Sequence, residues 1–115
     1  MRQSSYKIGV AQKDIRKLAG DHYVNVNLKV EKSKVNAKLV NGVLEAGTIL
    51  TSAGAVSTTG ADAYGIVFQD VDFNNSKGTE VVPVMIHGFV DTAKVKLDSS
   101  NGAAQKTALK MIAFL

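Results

Sequence analysis

Cysteine and tryptophan are absent from this 115-residue chain, and proline occurs once. Without cysteine there are no thiol nucleophiles, disulfides, cysteine-ligated zinc sites or iron-sulfur clusters, so stability has to come from packing. Aromatic residues make up only 6% of the chain, too few for the interleaved stacking platforms that hold single-stranded nucleic acid. No apolar run approaches the roughly 20 residues that a membrane-crossing helix needs. The first ten residues carry Arg2 and Lys7 but neither an apolar stretch nor a small-residue cleavage site, so no secretory signal is expected. What is present, 45% hydrophobic and 21% charged residues, fits one small globular domain, since a chain of this length closes one core of ordinary size and not two.

The net charge of +4 is unevenly placed. Residues 1–40 hold nine Lys/Arg against three Asp/Glu, whereas residues 41–115 hold five against seven. A basic first third suits nucleic-acid phosphates, but the only aromatics there are Tyr6 and Tyr23. The expectation is therefore a solvated basic face that steers docking onto an acidic protein surface, with neither nucleic acid nor membrane as partner. Residues 1–21 show no sustained apolar period and only a weak helical stretch over 11–19, where Ile15 and Leu18 share a face. That stretch is too short to hold as an isolated helix. Residues 1–21 read as an arm and 22–115 as the domain. Within the arm Tyr6, Ile8 and Val10 alternate with Lys7 and Gly9, the pattern of a strand that adds to another sheet's edge; a frayed terminus is the alternative.

From residue 23 the period becomes two. Val24, Val26, Leu28 and Val30 alternate with Asn25, Asn27 and Lys29, which predicts a half-buried strand. Residues 32–38 are polar, with Val35, Ala37 and Leu39 continuing a weaker alternation. Asn41-Gly42 predicts a type I′ turn, and short β segments at 43–44, 48–51 and 55–57 are separated by glycine-bearing turns. A buried strand over 64–71, in which Gly65 admits a bulge or a close backbone approach, pairs as a hairpin with the strongest strand, 80–90. Val82, Val84 and Ile86 are expected on one side of that strand and Pro83, Met85 and His87 on the other. Because proline cannot donate to a ladder, the strand is expected at a sheet edge, or bulged at Pro83, with its unpaired side toward another subunit. A short helix over 105–112 follows, capped by Ser99, Ser100 or Asn101.

No catalytic constellation is visible. His22 and His87 are the only histidines and lie in segments poor in carboxylates, so each reads as structural and not as a base or a metal ligand. Asp70, Asp72 and Asn74 alternate like the start of a calcium loop, but the sixth position is Asn75 where glycine is needed and the twelfth is Val81 where glutamate is needed. There is no Gly-x-Ser-x-Gly elbow and no glycine-rich phosphate loop. No enzyme activity, metal or cofactor is expected.

Three stretches carry a resemblance. They are Val43-Leu-Glu-Ala-Gly-Thr-Ile-Leu-Thr-Ser-Ala-Gly-Ala-Val56, Asp62-Ala-Tyr-Gly-Ile-Val67 and Val81-Val-Pro-Val-Met-Ile-His-Gly-Phe-Val-Asp91, followed by Ala108-Leu109 and Ile112-Ala-Phe114. Across roughly residues 43 to 114 this order of turns and core residues resembles the lambda-type head decoration proteins of tailed phages, also described as head fibre proteins. The resemblance implies a mainly β fold: a small β-tulip or barrel-like domain with a short C-terminal helix and an extended N-terminal arm. It also implies a homotrimer that binds the major capsid protein at local three-fold sites, on the outer surface of the expanded shell of a virion assembled in the host cytoplasm. There it stabilises the head against internal genome pressure. On that reading Tyr6, Lys7, Ile8, Val10, Arg16 and Lys17 of the arm contact the capsid, and Pro83, Met85 and His87 form the trimer interface. Residues 1–42 are longer than the short arm of the lambda type. Two other classes remain open: a host-surface or carbohydrate-binding head fibre module, which predicts a groove of exposed aromatics, and an enzyme subunit, which predicts a site centred on histidine or carboxylate with shifted pKa values.

Overall fold

The computed structural model describes residues 15–16 and 23–115 of the chain. The alternating valines and leucine form β1 (Val24–Glu31) as expected. The polar segment after it does not continue as a strand. Lys32–Val35 makes one helical turn, α1, and Asn36–Lys38 a 3-10 turn. Val35 and Leu39 are four apart, so a helical turn brings both to the same apolar cluster, which an extended chain would also do but over a longer reach. Asn41 (φ 52°) and Gly42 (φ 80°) then adopt the left-handed conformations of a type I′ turn. Val40 and Val43 close it by exchanging N–H···O bonds of 2.9 and 3.0 Å.

The remaining elements are β2 (Val43–Leu44), β3 (Ile49–Leu50), β4 (Gly65–Val67), β5 (Val71–Asp72), β6 (Thr79–Val90), α2 (Gly102–Ala108) and β7 (Ile112–Phe114). The fold is mainly β. The main sheet runs β1-β6-β4-β3, antiparallel throughout, and β7 lies parallel to β6. β2 and β5 pair separately as a two-stranded ribbon. The sheets are therefore open, and the closure of a tulip or barrel is not present. Closure needs strands long enough to carry tilt and stagger, and only β1 and β6 exceed three residues.

β6 is not the edge strand that Pro83 suggested. It pairs with β1 along one edge and with β4 and β7 elsewhere. Proline is tolerated because of its place in the ladder. The Pro83 carbonyl accepts the Phe68 N–H at 2.9 Å, and β4 has ended at Val67, so the N–H that proline lacks falls where this ladder stops. A register shift occurs instead near the β1 start, where Val24 faces His87 and Asn25 faces Met85, leaving Ile86 as the extra residue. The simple alternation expected of 82–87 breaks there.

Both faces of the main sheet are covered. On one face the register aligns Ile49, Ile66 and Met85, which join Ile15, Ala46, Ala63, Val90, Val95, Leu109 and Ile112 in a first core. On the other, Val67 lies beside Val84 and joins Val30, Val35, Leu44, Leu50, Phe73 and Val82 in a second. Asn25 extends the first row, and its side-chain oxygen is buried without a hydrogen-bond partner.

The C-terminal helix begins and ends earlier than expected. Its last turn closes with Leu109 N–H donating to the Gln105 carbonyl at 3.0 Å, after which Ile112 enters the sheet. The apolar residues 108–112 thus serve two elements, because a β7 strand buries Ile112 against the first core. Asn101 precedes the helix without capping it through its side chain, which donates instead to the Thr58 carbonyl at 2.8 Å.

Gly65 is the point of closest approach between β4 and β6. A Cβ there would lie 2.3 Å from Val84 Cγ1 and 2.8 Å from the Met85 carbonyl oxygen. Gly65→Ala should therefore overpack the sheet centre and cost about 1–3 kcal/mol, read as a lowered urea midpoint with an unchanged slope.

Candidate assembly surface

Ile15 ties the segment before β1 to the sheet. It is 1% exposed and sits in the first core. Its carbonyl accepts the Asp91 N–H at 2.8 Å, and Arg16 forms an antiparallel bridge with Val90. Leu115 donates to the Val90 carbonyl at 2.9 Å from β7's side, so Ile15–16 and β7 bracket the end of β6. Successive residues of a strand direct their backbone groups to opposite edges, which lets one short stretch hold both.

A second contact reinforces the anchor. Tyr23, just before β1, and Phe68, just after β4, stack with ring centroids 5.0 Å apart and an interplanar angle of 18°. The Arg16 guanidinium lies over both, 5.1 Å from the Tyr23 centroid and 5.7 Å from that of Phe68. Such cation–π contacts contribute about 0.5–2 kcal/mol, more as water is excluded. Arg16, expected among the capsid contacts, is half-buried and makes these contacts within the domain. The other arm candidates, Tyr6, Lys7, Ile8, Val10 and Lys17, lie outside the described residues, as does His22.

Of the three residues expected at a subunit interface, Met85 is fully buried in the first core and offers no surface to a second chain. The reason is the central position of β6, where the residue opposite a core face is itself in a core. Pro83 and His87 are half-buried. The calcium-like run is also accounted for internally: Asp70 accepts the Ala46 N–H at 2.7 Å, and Asp72 accepts both the backbone and the side-chain amide of Asn74 at 2.8 Å. Among the described residues no group of three His, Asp or Glu side chains comes together.

A cavity of about 240 Å³ lies between the 3-10 turn, β3 and α2, lined among others by Lys38, Thr48, Ser57, Lys96, Asp98 and Gln105. It falls below the roughly 300–1,000 Å³ of small-molecule sites, and its polar groups bond to one another. Gln105, 2% exposed, donates to Ser57 Oγ at 3.2 Å and accepts the Asp98 N–H at 2.8 Å. Ser57 Oγ donates to Asp62 Oδ1 at 2.6 Å, and Thr58 N–H donates to Asp62 Oδ2 at 3.2 Å. Lys96 pairs with Glu45, and Lys38 faces Asp98, so the charge around the cavity is balanced. The network fastens α2 to the loop after β3. Nothing in the local sequence marks Gln105, or the Tyr23–Phe68 pair, since each depends on a partner tens of residues away, Ser57 in the case of Gln105.

The Ser57 hydroxyl holds the Asp62 carboxyl below the usual carboxylate range, opposed by desolvation and helped by backbone N–H groups of the same turn. The Ser100 N–H does the same for Asp98. A carboxylate lowered in the folded state stabilises it above the unfolded pKa, and that contribution is lost as pH falls through the folded pKa. Asp62→Asn should thus lower the thermal midpoint at neutral pH, and the gap to the wild type should narrow in acid. A constant gap across the titration would show that the carboxylate charge is not involved. No protein-family model matches the chain, and neither a curated protein nor a solved structure does.

Proposed function

We propose that this chain is a head decoration protein of a tailed phage. It binds the outer surface of the expanded shell as a trimer at local three-fold sites, contacts the major capsid protein and cements the shell against genome pressure. The observation that carries the reading beyond the sequence resemblance is the seat of Ile15. A cement transmits load between the subunit it grips and its own core, and Ile15 couples any grip made by residues N-terminal to it directly to β6, through a buried side chain and backbone bonds.

The mechanism is mass action. A protein that binds the expanded shell and not its precursor stabilises the bound state by RT ln(1 + [L]/Kd), repeated at every site. A trimer adds avidity, since the second and third contacts form at high effective concentration. The basic first third favours encounter with an acidic shell surface. A host-surface or sugar-binding role would call for clustered exposed aromatics, whereas among the described aromatics Tyr64 alone is exposed, Phe89 and Phe114 are half-buried, Phe73 is buried, and Tyr23 and Phe68 stack under Arg16.

Co-sedimentation with stripped shells of the parent phage tests the reading. Truncation must stop before Ile15, because a deletion of residues 1–21 would remove part of the core as well as the arm. The full chain should bind expanded shells saturably at roughly micromolar protein, an association of about 8 kcal/mol, and leave unexpanded shells unbound. Removal of residues 2–14 should weaken binding without unfolding the domain. Ile15→Ala should cost about 2–4 kcal/mol of stability and weaken shell binding as well. Absence of binding to either shell overturns the proposal, and retention on immobilised glycans would then favour the host-facing module.

A further inference from the structure

We infer that the pole of the domain formed by α1 and the adjoining end of the β1–β6 ribbon is a docking surface for an acidic protein segment. Between residues 29 and 38 stand four lysines, Lys29, Lys32, Lys34 and Lys38, against Glu31 alone. The other described residues hold six Lys/Arg against seven Asp/Glu. Positive charge is thus concentrated in this stretch of the chain, while the other described residues are nearly neutral. Lys77 joins it from the turn before β6, because Glu31 pairs with Thr79 and Lys32 N–H donates to the Gly78 carbonyl at 2.8 Å. The acidic side chains there are Glu31 and Glu80, the latter opposite Val30.

The platform is held firmly from below. Val35 is fully buried, Leu39 packs against the second core, and Val56 N–H donates to the Lys34 carbonyl at 3.4 Å. Lys29, Lys34, Lys38 and Lys77 are exposed and Lys32 partly so. Asp98 feels the charge of Lys38; for Lys29, Lys32, Lys34, Lys38 and Lys77 no described carboxylate lies within ion-pair distance. Against Glu31 and Glu80, these lysines leave this end of the domain with an excess of positive charge, which an acidic partner offsets.

The chemistry favours a peptide over a nucleic acid. An open groove at this pole is lined by Glu31, Lys32, Ser33, Asn36, Gly78 and Thr79. The Ser33 hydroxyl and the Asn36 amide supply donors and acceptors suited to a peptide backbone. No aromatic side chain lines the groove, so bases would find no stacking surface. The inference deepens the decoration reading by naming the chemistry of the shell face that meets this pole, and it rests on that reading only for where the acidic segment comes from.

The test uses the full chain and labelled poly-L-glutamate, followed by fluorescence anisotropy. Wild type should bind, with affinity falling about tenfold or more between low and physiological salt as screening sets in. The triple variant K29Q/K32Q/K34Q should lose about fivefold or more, while K94Q/K106Q/K110Q, with the same change in charge elsewhere, should stay within about twofold. Circular dichroism checks that each variant is folded. Equal losses in both variants, or no poly-glutamate binding by wild type, overturn the inference. Tighter binding of duplex DNA through the same lysines overturns it in favour of nucleic acid. Shell binding without poly-glutamate binding removes this inference and leaves the decoration reading; the converse removes the decoration reading and leaves the acidic docking surface.

Discussion

Every other element of this domain is placed by the burial of β6 on both faces. Val82 and Val84 enter one core, Met85 and Val90 the other. Strands of two or three residues have no independent stability, and β3, β4 and β7 are of that size. β4 and β7 exist because a twelve-residue strand gives them a ladder to join and an apolar face to cover, and β3 joins the sheet through β4. At about 25 cal/mol per Å² of apolar surface removed from water, burial on both sides of one strand is the largest favourable term this small chain commands, in the absence of any disulfide.

The same constraint organises the ends. Where β1 stops pairing, Ile15 and Arg16 take up the last residues of β6, and β7 takes the opposite edge. The Tyr23–Phe68 stack forms because the residues flanking β1 and β4 are brought together on a shared neighbour, and Arg16 closes over it. On the far side, α2 contributes little apolar surface and is fastened mainly by Gln105 through Ser57 and Asp98. Buried polar networks of this kind specify an arrangement more than they stabilise it, since each member left unpaired carries a desolvation penalty. The proposed function rests on this arrangement: a sheet buried on both faces, with the segment at Ile15 fastened to one end of β6 and a lysine-rich stretch near the other.

Local chemistry was enough for several features. The alternation of β1, the type I′ turn at Asn41-Gly42 and the close approach at Gly65 are each decided by two to eight neighbouring residues: by the period of side chains on a strand, by the left-handed φ that asparagine and glycine accept, and by the missing Cβ where two backbones meet. The concentration of lysine between 29 and 38 is likewise plain in the sequence.

Tertiary structure decided the rest, for one physical reason: the free energy of a residue depends on partners that lie far along the chain. Pro83 suggested an edge, but whether its missing N–H matters depends on where β4 ends. Met85 suggested an interface, but whether its side of β6 is free depends on Ile49, Ile66 and the segment at Ile15. Residues 108–112 suggested a helix, but Ile112 is better buried as a strand beside β6 than as another helical turn. The family resemblance implied a barrel, yet β2 and β5 pair apart and leave the main sheet open. The sequence by itself determined a small, mainly β domain with a basic N-terminal third. Only the tertiary structure decided which of its residues are core, which are anchor and which remain as surface.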